Sequence, residues 1–172
     1  MYPAFPSSVS ILLLLDQNEV FEHAKEANII TLLETGAGKT LISVLLINHI
    51  CSNPASKPSP IFFLVNLVAL VEQQSNFIAQ SVLSHVQVAR YYSGNGFDNA
   101  RWQTELSRHH VHVMTTAIFL TLLEKNLVQI SLCSLLIFNE CHHATGSHPM
   151  NEVMSYYRAA KKNPCRCRAF SA

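Results

Sequence analysis

Two rhythms of apolar and polar positions run along this chain. Short strand-like runs stand at Asn28-Ile29-Ile30-Thr31-Leu32-Leu33, Ile61 to Val65, Val86 to Tyr92, Val111 to Met114 and Leu135 to Phe138. The unbroken apolar run Ile61 to Val65 predicts a strand buried on both faces of a parallel sheet. Between them lie stretches with helical spacing: Asn18 to Asn28 (Val20, Phe21 and Ala24 on one face), Leu41 to Ile50, Leu67 to Gln80, Asn99 to Arg108, Ala117 to Glu124 and Asn151 to Ala160. Cys167 to Phe170 reads as a last strand. Pro3 and Pro6 with three serines make the first ten residues a flexible lead, Ser52 to Pro60 reads as a surface loop, and Ser93-Gly94-Asn95-Gly96 as a turn. Strand and helix alternate with no internal repeat, which predicts an α/β fold around a parallel sheet.

The bulk numbers narrow the class. At 172 residues the chain is one domain by length and long enough to bury a core. Apolar residues make up 49% and charged residues 13%; an average domain carries about 25% charged residues, so this surface is unusually poor in charge. A net charge of +1 excludes a global pull on nucleic acid, and any such contact must be local. No apolar run approaches the roughly 18 residues of a membrane span, and no basic segment of a secretory leader precedes Ile11 to Leu15. Five cysteines, an odd number, without a secretory leader indicate reduced thiols inside the cell.

The strongest candidate chemistry lies in Thr35-Gly36-Ala37-Gly38-Lys39-Thr40, between a strand and a helix. Gly36 and Gly38 let the backbone approach phosphate oxygens without a Cβ. Lys39 reaches the β/γ oxygens, and the Thr40 hydroxyl can ligate Mg²⁺ at a helix N-terminus whose dipole favours the anion. The strict phosphate-loop pattern has glycine where Leu33 stands. A second cluster, Asn139-Glu140-Cys141-His142, follows the apolar run Leu135 to Phe138. It therefore falls at the carboxyl end of a buried strand, where open α/β sheets bind ligands. An acid there holds Mg²⁺ in phosphoryl transfer, and a neighbouring carboxylate, Glu140, orients or deprotonates the attacking water.

Taken in order, these motifs resemble the first motor lobe of superfamily 2 helicases, specifically the DExH-type N-terminal helicase domain of Dicer and Dicer-like proteins, with a flavour of the fungal members. Asp16-Gln17-Asn18-Glu19-Val20-Phe21 resembles the family's adenine-reading segment, with Gln17 as the reader. Leu33-Glu34-Thr35-Gly36-Ala37-Gly38-Lys39-Thr40 follows as the nucleotide-binding loop. Phe63-Leu64-Val65-Asn66 with Leu70-Val71-Glu72-Gln73-Gln74, and Val113-Met114-Thr115-Thr116-Ala117, resemble the motifs that grip the RNA backbone. Asn139-Glu140-Cys141-His142-His143-Ala144 with His148-Pro149 resembles D-E-C-H-H-A…H-P.

The resemblance runs from Asp16 to Met154 and implies a RecA-like lobe over residues 16–172, with helices on both faces of the sheet, after a lead at residues 1–15. It implies ATP and Mg²⁺ as cofactors, Lys39 and Glu140 as catalytic groups, and Thr40, Asn139 and Glu140 around the metal. It implies double-stranded RNA contact through Asn66, Gln73, Thr115 and Thr116, and coupling of the two sites through His142. The remaining Dicer domains are the implied partners, small-RNA production and antiviral silencing the implied setting, and the cytoplasm or nucleus the implied place.

Departures from the family pattern shape the expectation. Asn139 stands for the family's Asp and costs the metal site a negative charge, so nucleotide binding is expected to survive better than hydrolysis. Asp16 replaces the tyrosine before the adenine-reading glutamine. Arg168 falls in the last strand, and with the chain stopping at Ala172 a truncated lobe is expected.

A non-catalytic pseudo-ATPase that binds RNA or protein, or a gene fragment without independent activity, is the alternative. A small-molecule kinase would share only the phosphate loop. For Thr115, Thr116 and Asn66 a plain helix-capping role stays open. The cysteines and histidines lack C-x₂-C or H-x₃-H spacing for zinc. Trp102, Tyr91 and Tyr92 read as packing aromatics or as base-stacking ones. His109, His110 and Arg108 read as a helix end, and His148 as structural.

Overall fold

The computed structural model describes residues 15–32, 38–53, 59–92, 99–141, 148–160 and 166–171. Its strands are β1 (Ile29–Leu32), β2 (Ile61–Val65), β3 (Val88–Tyr91), β4 (Val111–Thr115), β5 (Leu135–Phe138) and β6 (Arg166–Ser171). The helices are α1 (Leu15–Glu26), α2 (Lys39–Ile50), α3 (Val68–Ser81), α4 (Asn99–Arg108), α5 (Thr116–Glu124) and α6 (Pro149–Ala159), with one 3₁₀ turn at Ile130–Leu132. The strands form one parallel sheet in the order β1-β6-β5-β2-β4-β3. Parallel neighbours cannot be joined by a tight turn, so each connection carries a helix across the sheet.

β2 shows why the sheet must be covered on both sides. All five of its residues are buried, flanked by β4 and β5 with Ile61 paired to both Val111 and Leu135. Side chains alternate across a strand. Ile61, Phe63 and Val65 therefore join Val111, Val113, Leu135 and Ile137 in a core with Phe21 of α1, the apolar run of α2 and Val71 and Ile78 of α3. Phe62, Leu64, Met114, Leu136 and Phe138 face the other way, against Trp102 of α4, Phe119 and Leu122 of α5, and Met150 and Val153 of α6. Full burial of a phenylalanine stabilises by roughly 1.5–3 kcal/mol, and Phe62 and Phe63 bury one ring in each layer.

α2 has no single apolar face. Ile42 to Asn48 are all buried, because α1 and α3 close on it from both sides. Its fully buried polar side chain Asn48 is matched: Oδ1 accepts from the Leu83 N–H at 2.9 Å and Nδ2 donates to the Ser81 carbonyl at 3.4 Å. These bonds join the end of α2 to the end of α3.

Most expected elements appear within two or three residues. The expected helix from Leu41 begins two residues earlier, at Lys39, and the expected run Val86 to Tyr92 pairs only over Val88–Tyr91. The helix expected from Asn151 starts at Pro149, behind a His148 cap whose Nδ1 accepts from the Met150 N–H at 3.2 Å. The last strand is longer than expected and lies between β1 and β5, with Arg168 opposite Ile29 and Ile137. The turn read at Ser93 to Gly96, most of the Ser52 to Pro60 loop and the flexible lead fall outside the described residues, as do His142, His143, Lys161 and Lys162. No described helix is long and apolar enough to cross a membrane.

Candidate functional site

Because every strand is parallel, the chain leaves β1, β2, β4 and β5 at one edge of the sheet. That edge gathers Gly38, Asn66, Thr115 and Asn139, and ligands bind there in open α/β sheets.

Gly38 precedes α2 with φ 83°, a left-handed backbone that costs an L-residue about 1–2 kcal/mol. A Cβ at this position would also collide with the Gln17 side-chain amide. Gln17, expected to read adenine, is thus packed against the end of the phosphate loop and is buried. The α2 N-terminus has no side-chain cap and no acid in its first turn. The leading N–H groups and positive dipole end of a helix favour an anion. Leu33, Glu34, Thr35, Gly36 and Ala37 lie outside the described residues.

Lys39, 7% exposed, points its Nζ at Glu140 Oε1, 3.2 Å away. Asn139, also buried, continues the β5–β2 ladder through its N–H, which donates to the Leu64 carbonyl at 2.8 Å. Glu140 then turns the chain with φ 57°. Such a backbone on a residue with a Cβ costs about 1–3 kcal/mol and persists only where its surroundings enforce it. Asn66, at the end of β2, is one enforcing group: its Nδ2 donates to the Glu140 carbonyl at 3.3 Å. Asn66 does not cap α3, since Leu67 holds that position.

Thr40 Oγ1 donates to Gln74 Oε1 of α3 at 2.8 Å. Lys39, Thr40, Gln73, Gln74, Asn139 and Glu140 line one cavity of about 600 Å³, with Leu70 and Phe77 forming its apolar wall. Gln73 is exposed beside it. The structure thus brings Lys39, Thr40, Asn139, Glu140 and Gln73 to one place, with Gln17 behind Gly38 and Asn66 behind Glu140. Thr115 and Thr116 stand apart from the cavity lining. Thr115 caps α5, accepting from the Ile118 N–H at 3.4 Å, while Thr116 is buried and donates to the Val65 carbonyl at 3.3 Å.

This donor set fits a nucleotide phosphate with a divalent cation. It offers a helix N-terminus whose N-cap is glycine, one ammonium, one hydroxyl and one carboxylate around a cavity with a largely apolar lining. The two features that reading the sequence did not assign are Gln74 as the partner of Thr40 and the left-handed turn at Glu140. Gln74 was within view, next to Gln73 in the same quoted motif. The turn had no local signal, because glutamate ordinarily avoids that backbone.

Elsewhere the plainer readings fit. Trp102 is fully buried against Tyr91 and His112, with ring centroids 5.2 and 5.7 Å away. His110 Nδ1 accepts from the Gln87 N–H at 3.0 Å, just beyond the end of α4. Cys51 and Cys133 are buried free thiols, and burial pushes the Cys51 thiol up from 9.0 to about 11, the wrong direction for a nucleophile.

Known proteins carry the same pattern. A family model described as DEAD/DEAH box helicase matches residues 15–172. The chain is 40% identical over 153 residues to Endoribonuclease Dicer homolog 1 of Arabidopsis thaliana, covering 86% of this chain and 8% of that protein. It is 36% identical over 157 residues to Dicer-like protein 1 of Cryphonectria parasitica, covering 86% of this chain and 10% of that protein. The chain therefore spans 8–10% of the length of these relatives. The Hef helicase domain of Pyrococcus furiosus has the same fold, with a TM-score of 0.77 at 22% identity over 92% of this chain and 32% of that one. The expected RecA-like lobe, a parallel sheet with helices on both faces, is the fold observed.

Proposed function

The chain belongs to the DEAD/DEAH box helicase family, and from that premise we propose that residues 16–172 are the ATP-binding first motor lobe of a Dicer-like RNA helicase. The observation that carries this reading is the meeting of Lys39 and Thr40, at the uncapped start of α2, with Glu140 across one cavity. ATP phosphates sit at the α2 N-terminus in this reading, with Gly38 giving close backbone approach and Gln17 behind it toward the base. Lys39 exchanges Glu140 for a phosphate oxygen. Glu140, released, orients or deprotonates the attacking water. Mg²⁺, held by Thr40 with Asn139 and Glu140 nearby, supplies charge neutralisation at the β- and γ-oxygens when bound.

RNA contact is assigned to the same sheet edge. Gln73 is the most open of the candidate groups, and Asn66 lies beside it in the chain's path. Thr115 and Thr116 serve by placing the start of α5 at that edge. Such contacts read backbone shape in double-stranded RNA and not base identity. His142 couples the two sites in this reading. Other Dicer-type domains are the partners, RNA interference and antiviral defence the setting, and the cytoplasm or nucleus the place.

Asn139 favours a second reading, a pseudo-ATPase that binds nucleotide and RNA without turning ATP over. A buried neutral amide stands where a carboxylate would hold the metal. The two readings separate in two measurements on the full chain. Calorimetric titration with Mg²⁺–ATP is expected to show saturable binding, weakened at least about tenfold in Lys39→Ala, which loses a charge-assisted contact. Binding that ignores Lys39→Ala defeats both readings. Turnover of bound ATP by the wild type is expected under the first reading and absent under the second. Asn139→Asp is then expected to raise turnover, and no rise with binding intact means that Asn139 is not what limits it.

A further inference from the structure

We infer that Gln74 is a positioning residue for the metal-binding hydroxyl of Thr40, an inference that rests on the ATP–Mg²⁺ reading of this site. A threonine hydroxyl has one proton and two lone pairs. To ligate a hard cation it must turn a lone pair toward the ion and send its proton to an acceptor elsewhere. Gln74 Oε1, 2.8 Å from Thr40 Oγ1, is that acceptor.

The place of Thr40 in α2 favours this bond. A hydroxyl inside a helix ordinarily donates to the carbonyl four residues back. Ser43, deeper in α2, does so, with Oγ 3.1 Å from the Lys39 carbonyl. Thr40, the second residue of α2, has no helical carbonyl four residues behind it, and its proton goes across to α3, 34 residues on.

α3 is well placed to hold that partner still. Val71 and Ile78 anchor it in the core, and the buried Ser75 ties back to the Glu72 carbonyl at 3.0 Å. Gln74 thereby reaches the cavity from a rigid element, between Leu70 one turn before it and Phe77 one turn after it.

The charge balance of the cavity raises the weight on this bond. Asn139 is neutral, and the carboxylate of Glu140 is paired with Lys39. The neutral amide leaves more of the cation's hold to a correctly turned Thr40 oxygen. A carboxylate at position 74 would keep the acceptor and add a negative charge beside Thr40, in part replacing what Asn139 lacks.

The test is nucleotide binding by the purified full chain, measured calorimetrically with Mg²⁺ and again with EDTA, for the wild type, Gln74→Leu, Gln74→Glu and Lys39→Ala. Removing an outer-shell partner typically costs 10–100-fold in metal affinity. Gln74→Leu is therefore expected to lose about tenfold or more of the Mg²⁺-dependent affinity while its EDTA affinity stays within about twofold of wild type. Gln74→Glu should equal or exceed the wild-type response to Mg²⁺, which also decides the matter if the leucine variant fails to fold. Lys39→Ala should weaken binding in both conditions. Equal losses with Mg²⁺ and EDTA in Gln74→Leu would mean a merely structural residue and overturn the inference. A Gln74→Glu variant that loses its Mg²⁺ response would overturn it too. A folded wild type that binds no nucleotide in either condition, with Lys39→Ala indistinguishable from it, would overturn the ATP reading and this inference together.

Discussion

Two carboxylates in this lobe sit beside groups that can carry positive charge, in opposite surroundings. Glu140 meets Lys39 at the wall of a cavity of about 600 Å³. Glu105, on α4, accepts from the Tyr91 hydroxyl at 2.9 Å and lies 3.4 Å from His109 Nδ1. Tyr91 in turn lies 3.2 Å from His112 Nδ1. Since its one proton goes to Glu105, that histidine nitrogen must be the donor. His112 and Trp102 are fully buried, and rings stack around them: Phe62 on His112 at 5.2 Å and Tyr91 on His112 at 5.8 Å. In this second cluster the Tyr91 hydroxyl bridges Glu105 and His112, and apolar rings fill the space between. In the first, a left-handed glutamate, an uncapped helix and a paired ammonium surround open volume. Polar convergence alone does not make a site; convergence held in a strained geometry around room for a ligand does.

Trp102→Ala tests that contrast most severely. Removing a fully buried tryptophan is expected to cost about 3–5 kcal/mol in urea unfolding, with nucleotide affinity unchanged while the lobe stays folded. Lys39→Ala should show the reverse pattern, at least about tenfold weaker nucleotide binding with a smaller stability change. If it destabilised the lobe as much as Trp102→Ala, its pair with Glu140 would belong to the core and the contrast would collapse.

Gly38→Ala is expected to cost about 1–2 kcal/mol for the left-handed backbone, and to weaken nucleotide binding by pushing Gln17 aside. Wild-type binding in that variant would mean the close approach is not needed.

The smallest effect belongs to Tyr91. Tyr91→Phe should lose about 1 kcal/mol at neutral pH, one buried hydrogen bond. Burial, and then the Glu105 carboxylate, push the Tyr91 phenol far above its ordinary value. Above about pH 10 the unfolded chain releases this proton while the folded lobe keeps it, so stability falls as pH rises, by up to about 1.4 kcal/mol per pH unit. Tyr91→Phe should flatten that part of the alkaline stability curve. Cys51, raised from 9.0 to about 11, gives a separate fall that begins one unit lower and survives the substitution.

What could be read in advance follows from where each signal is stored. β2 and β5 were legible to the residue, because Ile61–Val65 and Leu135–Phe138 are unbroken apolar runs bounded by polar residues. α4 was as clear, with its lone Trp102 buried and polar neighbours exposed. Ends were harder. α2 starts at Lys39 because Gly38 takes a conformation only glycine adopts cheaply, and α6 starts at Pro149 because a histidine serves as its cap. The 3₁₀ turn at Ile130–Leu132 fell between clear elements and went unread. At the site, Lys39, Thr40, Asn139 and Glu140 were readable as types at fixed offsets from strand ends.

By itself the sequence determined the element order and the sheet's parallel class, because apolar runs and helical spacing act over a few residues. Only the tertiary structure decided that Gln74 takes the Thr40 proton across 34 residues and that Asn66 holds the Glu140 carbonyl across 74. It alone decided that Glu105 is bonded to the Tyr91 hydroxyl while Glu140 faces open volume. Those outcomes depend on how helices seat against two faces of one sheet, and no local propensity carries that information.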